Sequence, residues 1–395
     1  MAGKLRLLVL LATRISGAGI AILSSLYIIS HYGKSAAGEY FLYFTISYFI
    51  GQIVRFGGEN DILSAKSDSD VGQSVSISAV LGILGLAFGI VGQIAMPQYP
   101  VFIVALAGVQ YALMEIYGDI LKRHGRNVTG IIYSSVPVHI LIVVISVAGT
   151  GLPLVNILAL SVSINLLAAV IVEQRARIGQ QVAFKADKKH IAEAWHSAFG
   201  NISGGFITPL AMWMCTTLFS SAAAADYRIA MRLAMLISFS FFALQQMLLK
   251  PLRENGLAAF RGAAHFWKYV SIRVVPIAVL MFLGNMLVGT GLVYFMDEFD
   301  QQFLALLALW SAAFVAFVVS SPALLLVTYQ RRFAFQLKAR LSFQVLSLIA
   351  AWGLTVLDVT SGVVMFTLIL TSHVWMVNVP ASLRMRRFYS EETAR

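Results

Sequence analysis

Long apolar runs alternate with short polar islands along the whole chain, and the runs are too long for the core helices of a soluble domain. A bilayer-spanning helix needs about 20 mostly apolar residues. Twelve stretches meet that length, at 5–30, 37–56, 72–96, 101–121, 128–148, 152–172, 197–220, 226–249, 266–295, 303–328, 333–357 and 360–383. The pattern therefore predicts an all-α integral membrane protein with about twelve transmembrane helices. Between them only the 173–196 stretch is long and polar enough to act as a linker. Its end, residues 188–195, reads either as a short amphipathic helix on the inner leaflet or as plain solvated chain.

The chain also resembles itself. Ile15-Ser16-Gly17, Ile20, Leu23, Ala36-Ala37, Tyr40 and Ile50 recur 187 positions later as Ile202-Ser203-Gly204, Ile207, Leu210, Ala223-Ala224, Tyr227 and Ile237, with Glu39 answered by Asp226. That is nine identities over 36 ungapped positions, where composition alone gives roughly three. Six spans per half is an even number, so the second copy enters the membrane in the same orientation as the first, as in transporters with parallel repeats. The expected organisation is an amino-terminal lobe at 1–173, a cytoplasmic linker at 174–196 and a carboxyl-terminal lobe at 197–395.

Composition and charge sharpen this picture. The chain is 59% hydrophobic and 12% charged, against about 25% charged in a soluble domain. Its net charge of +11 does not point to nucleic acid, because the basic residues cluster on one side of an alternately threaded bundle. Lys4, Arg6, Lys66, Lys122, Arg123, Arg126, Lys185, Lys250, Arg331 and Arg384 all fall there, whereas the opposite loops hold Lys34, Asp226, Asp297, Glu298, Asp300 and Asp358. The positive-inside rule then places both termini in the cytoplasm. Cys215 is the single cysteine, so no disulfide framework, metal site or redox motif is expected, and no cofactor. Asp68-Ser69-Asp70 has the form of a glycosyltransferase metal motif but lacks a soluble catalytic domain. Asn127-Val128-Thr129 is a sequon on the cytoplasmic side, and no Gly-rich phosphate loop with its lysine is present. An enzyme is not expected.

Charges inside a bilayer cost roughly 2.5–3.5 kcal/mol or more and usually face a cavity or a partner. Arg14 lies roughly 13 Å into the first span and Arg232 about 9 Å from the outer edge of the eighth, at about 1.5 Å per residue. Arg228 precedes Arg232 by one turn on the same face. Arg55 and Arg273 are nearer the cytoplasmic ends of their spans, where a snorkelling side chain is the simpler account. Glu115 and Asp119 share one face of the fourth span; they either neutralise Arg14 or Arg55, or bind a coupling proton or sodium ion. His139 and His373 read as core residues. An arginine-rich interior selects anions, and the guanidinium fork suits phosphate oxygens. The candidate substrate-binding set is Arg14, Arg232, Arg228, Arg55 and Arg273, and the candidate ion-coupling pair is Glu115 and Asp119. Gly82, Gly85, Gly89 and Gly92 form a small-residue stripe expected to pack another helix. Pro137, Pro209, Pro276 and Pro322 sit within spans, where proline can kink a helix.

Several of these motifs resemble one family. Arg14-Ile15-Ser16-Gly17, Ala37-Gly38-Glu39-Tyr40, Arg55-Phe56-Gly57-Gly58-Glu59, the run from Asp226 to Leu233 and Lys250-Pro251-Leu252 are similar to the polysaccharide-exporter branch of the multidrug/oligosaccharidyl-lipid/polysaccharide (MOP) superfamily. The resemblance covers spans one, two, seven and eight, and the rest by number and length. It implies a V-shaped, MATE/MOP-like bundle in the bacterial inner membrane that flips polyprenyl-diphosphate-linked oligosaccharide, such as O-antigen or exopolysaccharide units. Arg14 and Arg232 would contact the diphosphate. Membrane lipids, a polysaccharide polymerase and chain-length machinery are the implied partners. The alternatives are a multidrug/cation antiporter of the same superfamily, which calls for an anionic cavity, and a membrane polymerase or glycosyltransferase, which usually has a large outward loop.

Overall fold

The computed structural model describes residues 2–56, 62, 68–148, 151–176, 188–239, 263–329, 333–356, 362–376 and 379–384. The expected features at Gly57-Gly58-Glu59, 177–187, 240–262 (with Lys250-Pro251-Leu252) and 385–395 lie outside these residues. Among those described, every element is helical: α1 (Ala2–Arg55), α2 (Asp68–Ala95), α3 (Val101–Arg123), α4 (Asn127–Val147), α5 (Leu154–Ala176), α6 (Lys188–Leu218), α7 (Ser221–Met235), α8 (Ala263–Phe295), α9 (Gln301–Tyr329), α10 (Phe333–Val356) and α11 (Gly362–Met376). The molecule is an all-α, multi-pass membrane protein. Six of the helices are long and apolar enough to cross a bilayer, and the first of these, Ala12–Arg55, has 44 residues, enough for two crossings.

The expected loop at 31–36 does not exist. α1 runs through it and is interrupted only at Gly33, whose φ of 79° and ψ of 160° are non-helical. Glycine alone visits that region without steric cost, so a single residue does the work of the loop. The same 187-residue spacing carries Gly33 onto Ser220, where α6 has ended and α7 begins. There the break is capped: Ser220 Oγ accepts a hydrogen bond from the Ala223 amide at 3.0 Å, a conventional helix start. The 188–195 stretch, read from sequence as either a separate short helix or solvated chain, forms the first two turns of α6, continuous with the span that follows.

By contacts the chain divides into two compact units, Met1–Thr216 and Thr217–Arg395. In the first, α3 is the hub and touches α1, α2, α4 and α5; in the second, α9 touches α7, α8 and α11, and only lightly α10. The fourth span of each half thus meets the second, third and sixth spans of its own half, and the sixth meets the fifth in both. The repeat legible in the sequence is a repeat of helix wiring.

Small residues make the wiring close. A Cβ on Gly89 would meet Ala105 at 2.7 Å and one on Gly92 would meet Val101 at 2.7 Å, so the glycine stripe of α2 does pack against α3. α1 crosses α3 where a Cβ on Gly51 would stand 3.1 Å from the Gly108 carbonyl oxygen and one on Gly108 would stand 2.7 Å from the Ser47 carbonyl oxygen. Pro137, Pro209, Pro276 and Pro322 all lie inside helices. The outward faces of α2 and α8 are strongly apolar: Ile83, Phe88 and Ile94 on one, Leu280, Leu283 and Leu287 on the other, are exposed. Such a surface belongs in lipid.

Candidate functional site

The close crossing of α1 and α3 determines where charge can be held. Beyond Gly51 and Gly108, both helices turn polar side chains into the seam between them. Arg55 reaches across it from the last turn of α1. Its Nη1 donates to Glu115 Oε2, and its Nη2 donates to Asp119 Oδ2 at 2.6 Å. Gln52 Nε2 adds a bond to Glu115 Oε2 at 3.3 Å, and Lys122 Nζ donates to Asp119 Oδ1 at 2.8 Å. The Arg55 and Asp119 side chains are 7% and 1% exposed, so this is a buried ion network. Two cations and two carboxylates make it neutral overall, and each charge has a geometrically good partner, which burial requires.

The walls of the network are apolar. Val54, Val109 and Ala112 form a buried cluster between the same two helices, and Ile62, Val71 and Ile116 form another nearby. Such surroundings exclude water and strengthen the ionic bonds. On the other side of Gln52 lies α6. A Cβ on Gly205 would stand 3.8 Å from the Gln52 side chain, and Phe206 packs against Phe49 with ring centroids 5.4 Å apart. Gln52 therefore links the ion network to the helix that opens the second copy of the repeat.

Each residue singled out in the sequence now has a place. Glu115 and Asp119 are brought together with Arg55, not with Arg14. Arg14 is partly buried on α1 and has no hydrogen bond or ion pair among the described residues. Arg228 is buried on α7 beside buried Asp226, and Arg232 is partly buried one turn further on. Arg273 is exposed on α8, its Nη1 donating to its own helix at the Tyr269 carbonyl, 2.8 Å away, and its guanidinium 3.6 Å from the Tyr269 ring centre. His139 is buried in the core with its ring 5.9 Å from that of Phe44; the side chain of His373 lies outside the description. Lys122 and Gln52 were not singled out from sequence. Lys122 reads there as one more cytoplasmic charge, although its spacing of three from Asp119 on a helix is a legible pairing signal.

The second unit has a different centre. Tyr227, the repeat partner of Tyr40, is 2% exposed and stacks edge-on against Trp310 at 5.4 Å, with Phe366 on another side. Asn285 joins three helices there by donating to the Leu233 carbonyl at 3.1 Å and to Ser311 Oγ at 3.4 Å. In the first unit the corresponding aromatics are Tyr40, Phe44 and Tyr111. The aromatic node is shared by both halves.

No family model matches the chain, and no curated protein does. Solved structures do. The MATE multidrug transporter DinF-BH in complex with R6G superposes with a TM-score of 0.68 at 15% identity, over 97% of this chain and 95% of that one. The chain has the MATE transporter fold. An inward-facing multidrug-resistance MATE transporter of the MOP superfamily matches with a TM-score of 0.63 at 13% identity, over 98% and 95% of the two chains. The bent form of the Vibrio cholerae MATE transporter VcmN matches with 0.59 at 14%, over 98% and 96%. At these identities the likeness is one of fold, and in each case it covers 95% or more of both chains.

Proposed function

We propose that this protein is a flippase of the bacterial inner membrane. It carries polyprenyl-diphosphate-linked oligosaccharide to the outer leaflet for surface polysaccharide synthesis, by alternating access between two lobes and without covalent chemistry. The observation that carries the reading is the distribution of charge on a MATE fold. Glu115 and Asp119 are already neutralised by Arg55 and Lys122, while Arg14 has no carboxylate beside it among the described residues. The excess inside the bilayer is cationic, and a cationic interior attracts a diphosphate and repels a cationic drug. Alternating access is supported by the fold, which is found in inward-facing and outward-facing MATE structures alike.

In this reading both termini are cytoplasmic, the candidate diphosphate contacts are Arg14 of the first unit and Arg232 and Arg228 of the second, each taken by itself, and the polyprenyl tail stays in lipid. Arg55 serves the ion network. A proton or sodium ion arriving at Glu115 or Asp119 would compete with Arg55 and supply the coupling. A polysaccharide polymerase and chain-length proteins are the expected partners.

A second reading, a multidrug/cation antiporter, is favoured by the likeness to multidrug MATE structures, one of them solved with R6G. Reconstitution separates the two. Liposomes loaded with a fluorescent polyprenyl-diphosphate oligosaccharide are assayed for outer-leaflet exposure with the native chain, Arg14→Ala and Arg232→Ala. Flipping by the native chain, lost in both variants at unchanged folded yield, is the expected result. No flipping, with gradient-driven dye or cation efflux instead, gives the answer to the antiporter.

A further inference from the structure

The exposed face of α8 carries a feature that transport of a glycan does not use. α8 runs 33 residues, Ala263–Phe295, about 50 Å at a rise of about 1.5 Å per residue, and this exceeds the hydrocarbon core of about 30 Å. Its register in the membrane is set at the outer end. Tyr294 and Phe295 are 81% and 82% exposed, as aromatic residues at a membrane–water interface are, and the acidic residues Asp297, Glu298 and Asp300 follow immediately. Counting back from Phe295, about 33 Å of helix reaches Val274. Arg273 therefore lies at headgroup depth on the opposite leaflet, and Lys268 lies about 7.5 Å further out.

Both side chains, together with His265, are on the exposed half of the helix. They stand at the foot of the exposed apolar row Ile272, Leu280, Leu283 and Leu287. Phe266, Val270, Val274 and Ala278 form the opposite, buried face. Arg273 is also held in place. Its contacts with Tyr269, one turn towards the basic end, draw the guanidinium out of the hydrocarbon and fix it above the ring. A fixed cation loses less conformational freedom when it binds an anion than a free one does.

We propose that this face of α8 is a binding site for an anionic phospholipid of the basic-side leaflet. The headgroup phosphate sits between Lys268 and Arg273, and an acyl chain lies along Leu280, Leu283 and Leu287. The proposal stands whether the cargo is a glycan lipid or a drug. It turns Arg273 from a substrate contact into an anchor that fixes the depth of α8 in the membrane.

The test uses the full chain purified from vesicles of equal phosphatidylglycerol and phosphatidylcholine, with retained lipid counted by native mass spectrometry. The variants are Lys268→Gln, Arg273→Gln, the double variant and Lys338→Gln, the last removing an exposed lysine on α10. Thermal melts check that each variant is folded. Retained phosphatidylglycerol should fall about fivefold for each charge removed at Lys268 or Arg273, with Lys338→Gln and phosphatidylcholine retention unchanged. Equal retention by the double variant, or an equal loss in Lys338→Gln, would overturn the site in favour of a diffuse basic surface.

Discussion

Replacing Arg55 by alanine should destabilise the first unit by about 3–5 kcal/mol, the range for breaking a buried ion pair from one side. The guanidinium bonds two carboxylates at once, and its removal leaves Glu115 and Asp119 facing each other one turn apart. At a separation of about 6 Å and an effective dielectric constant of about 20, their repulsion alone is about 3 kcal/mol. Lys122 offsets part of this at Asp119, which it already touches at 2.8 Å, and at Glu115 the amide of Gln52 supplies a neutral donor. For a unit of this size, about 3–5 kcal/mol corresponds to a fall in Tm of about 6–20 °C, measurable by a thermal melt in detergent. The same reasoning says that Arg55→Met combined with Glu115→Gln and Asp119→Leu should recover most of the loss, since no buried charge is then stranded. An Arg55→Ala melt within about 2 °C of native, or a triple variant as unstable as the single one, would refute the account.

Three further outcomes follow from the geometry. Gly108→Val should cost about 1–3 kcal/mol by overpacking, because its Cβ would stand 2.7 Å from the Ser47 carbonyl; Gly284→Ala, with nothing within 4 Å, should melt as the native chain does. Gly33→Ala should cost about 1–2 kcal/mol, since an L residue is forced to a positive φ with no clash involved, and a melt that rises instead would show that the break relaxes into continuous helix. Glu115→Gln should abolish the dependence of transport on an ion gradient while counterflow exchange persists; an unchanged gradient dependence would remove Glu115 from the coupling path.

The span pattern and the duplication were legible because both rest on local signals, hydrophobic run length and residue recurrence. The α2 glycine stripe was legible for the same reason, since a face of one helix is written in that helix alone. The turn at Gly33 was not. A polar interval between apolar runs looks like a loop, and only backbone geometry shows that one glycine suffices. The partner of Glu115 and Asp119 was likewise open between Arg14 and Arg55, because it depends on how α1 rotates against α3. That rotation is fixed by the Gly51–Gly108 crossing, a long-range contact that no periodicity reveals. Arg273 already read as a charge near the cytoplasmic end of its span, able to snorkel; the exposed aromatic pair at the far end of α8 supports that reading.

The common wiring of the two halves also bears on how such a chain can change over generations. A hub helix such as α3 or α9 must satisfy several neighbours at once, so an altered volume there needs matching changes on more than one surface. The exposed apolar rows of α2 and α8, away from Lys268 and Arg273, answer only to acyl chains, which accept any apolar shape. Drift should therefore be fast on those two faces and slow along the hubs, in both copies alike. The ion network of α1 and α3, found in one half alone among the described residues, would then mark where the copies took up different tasks.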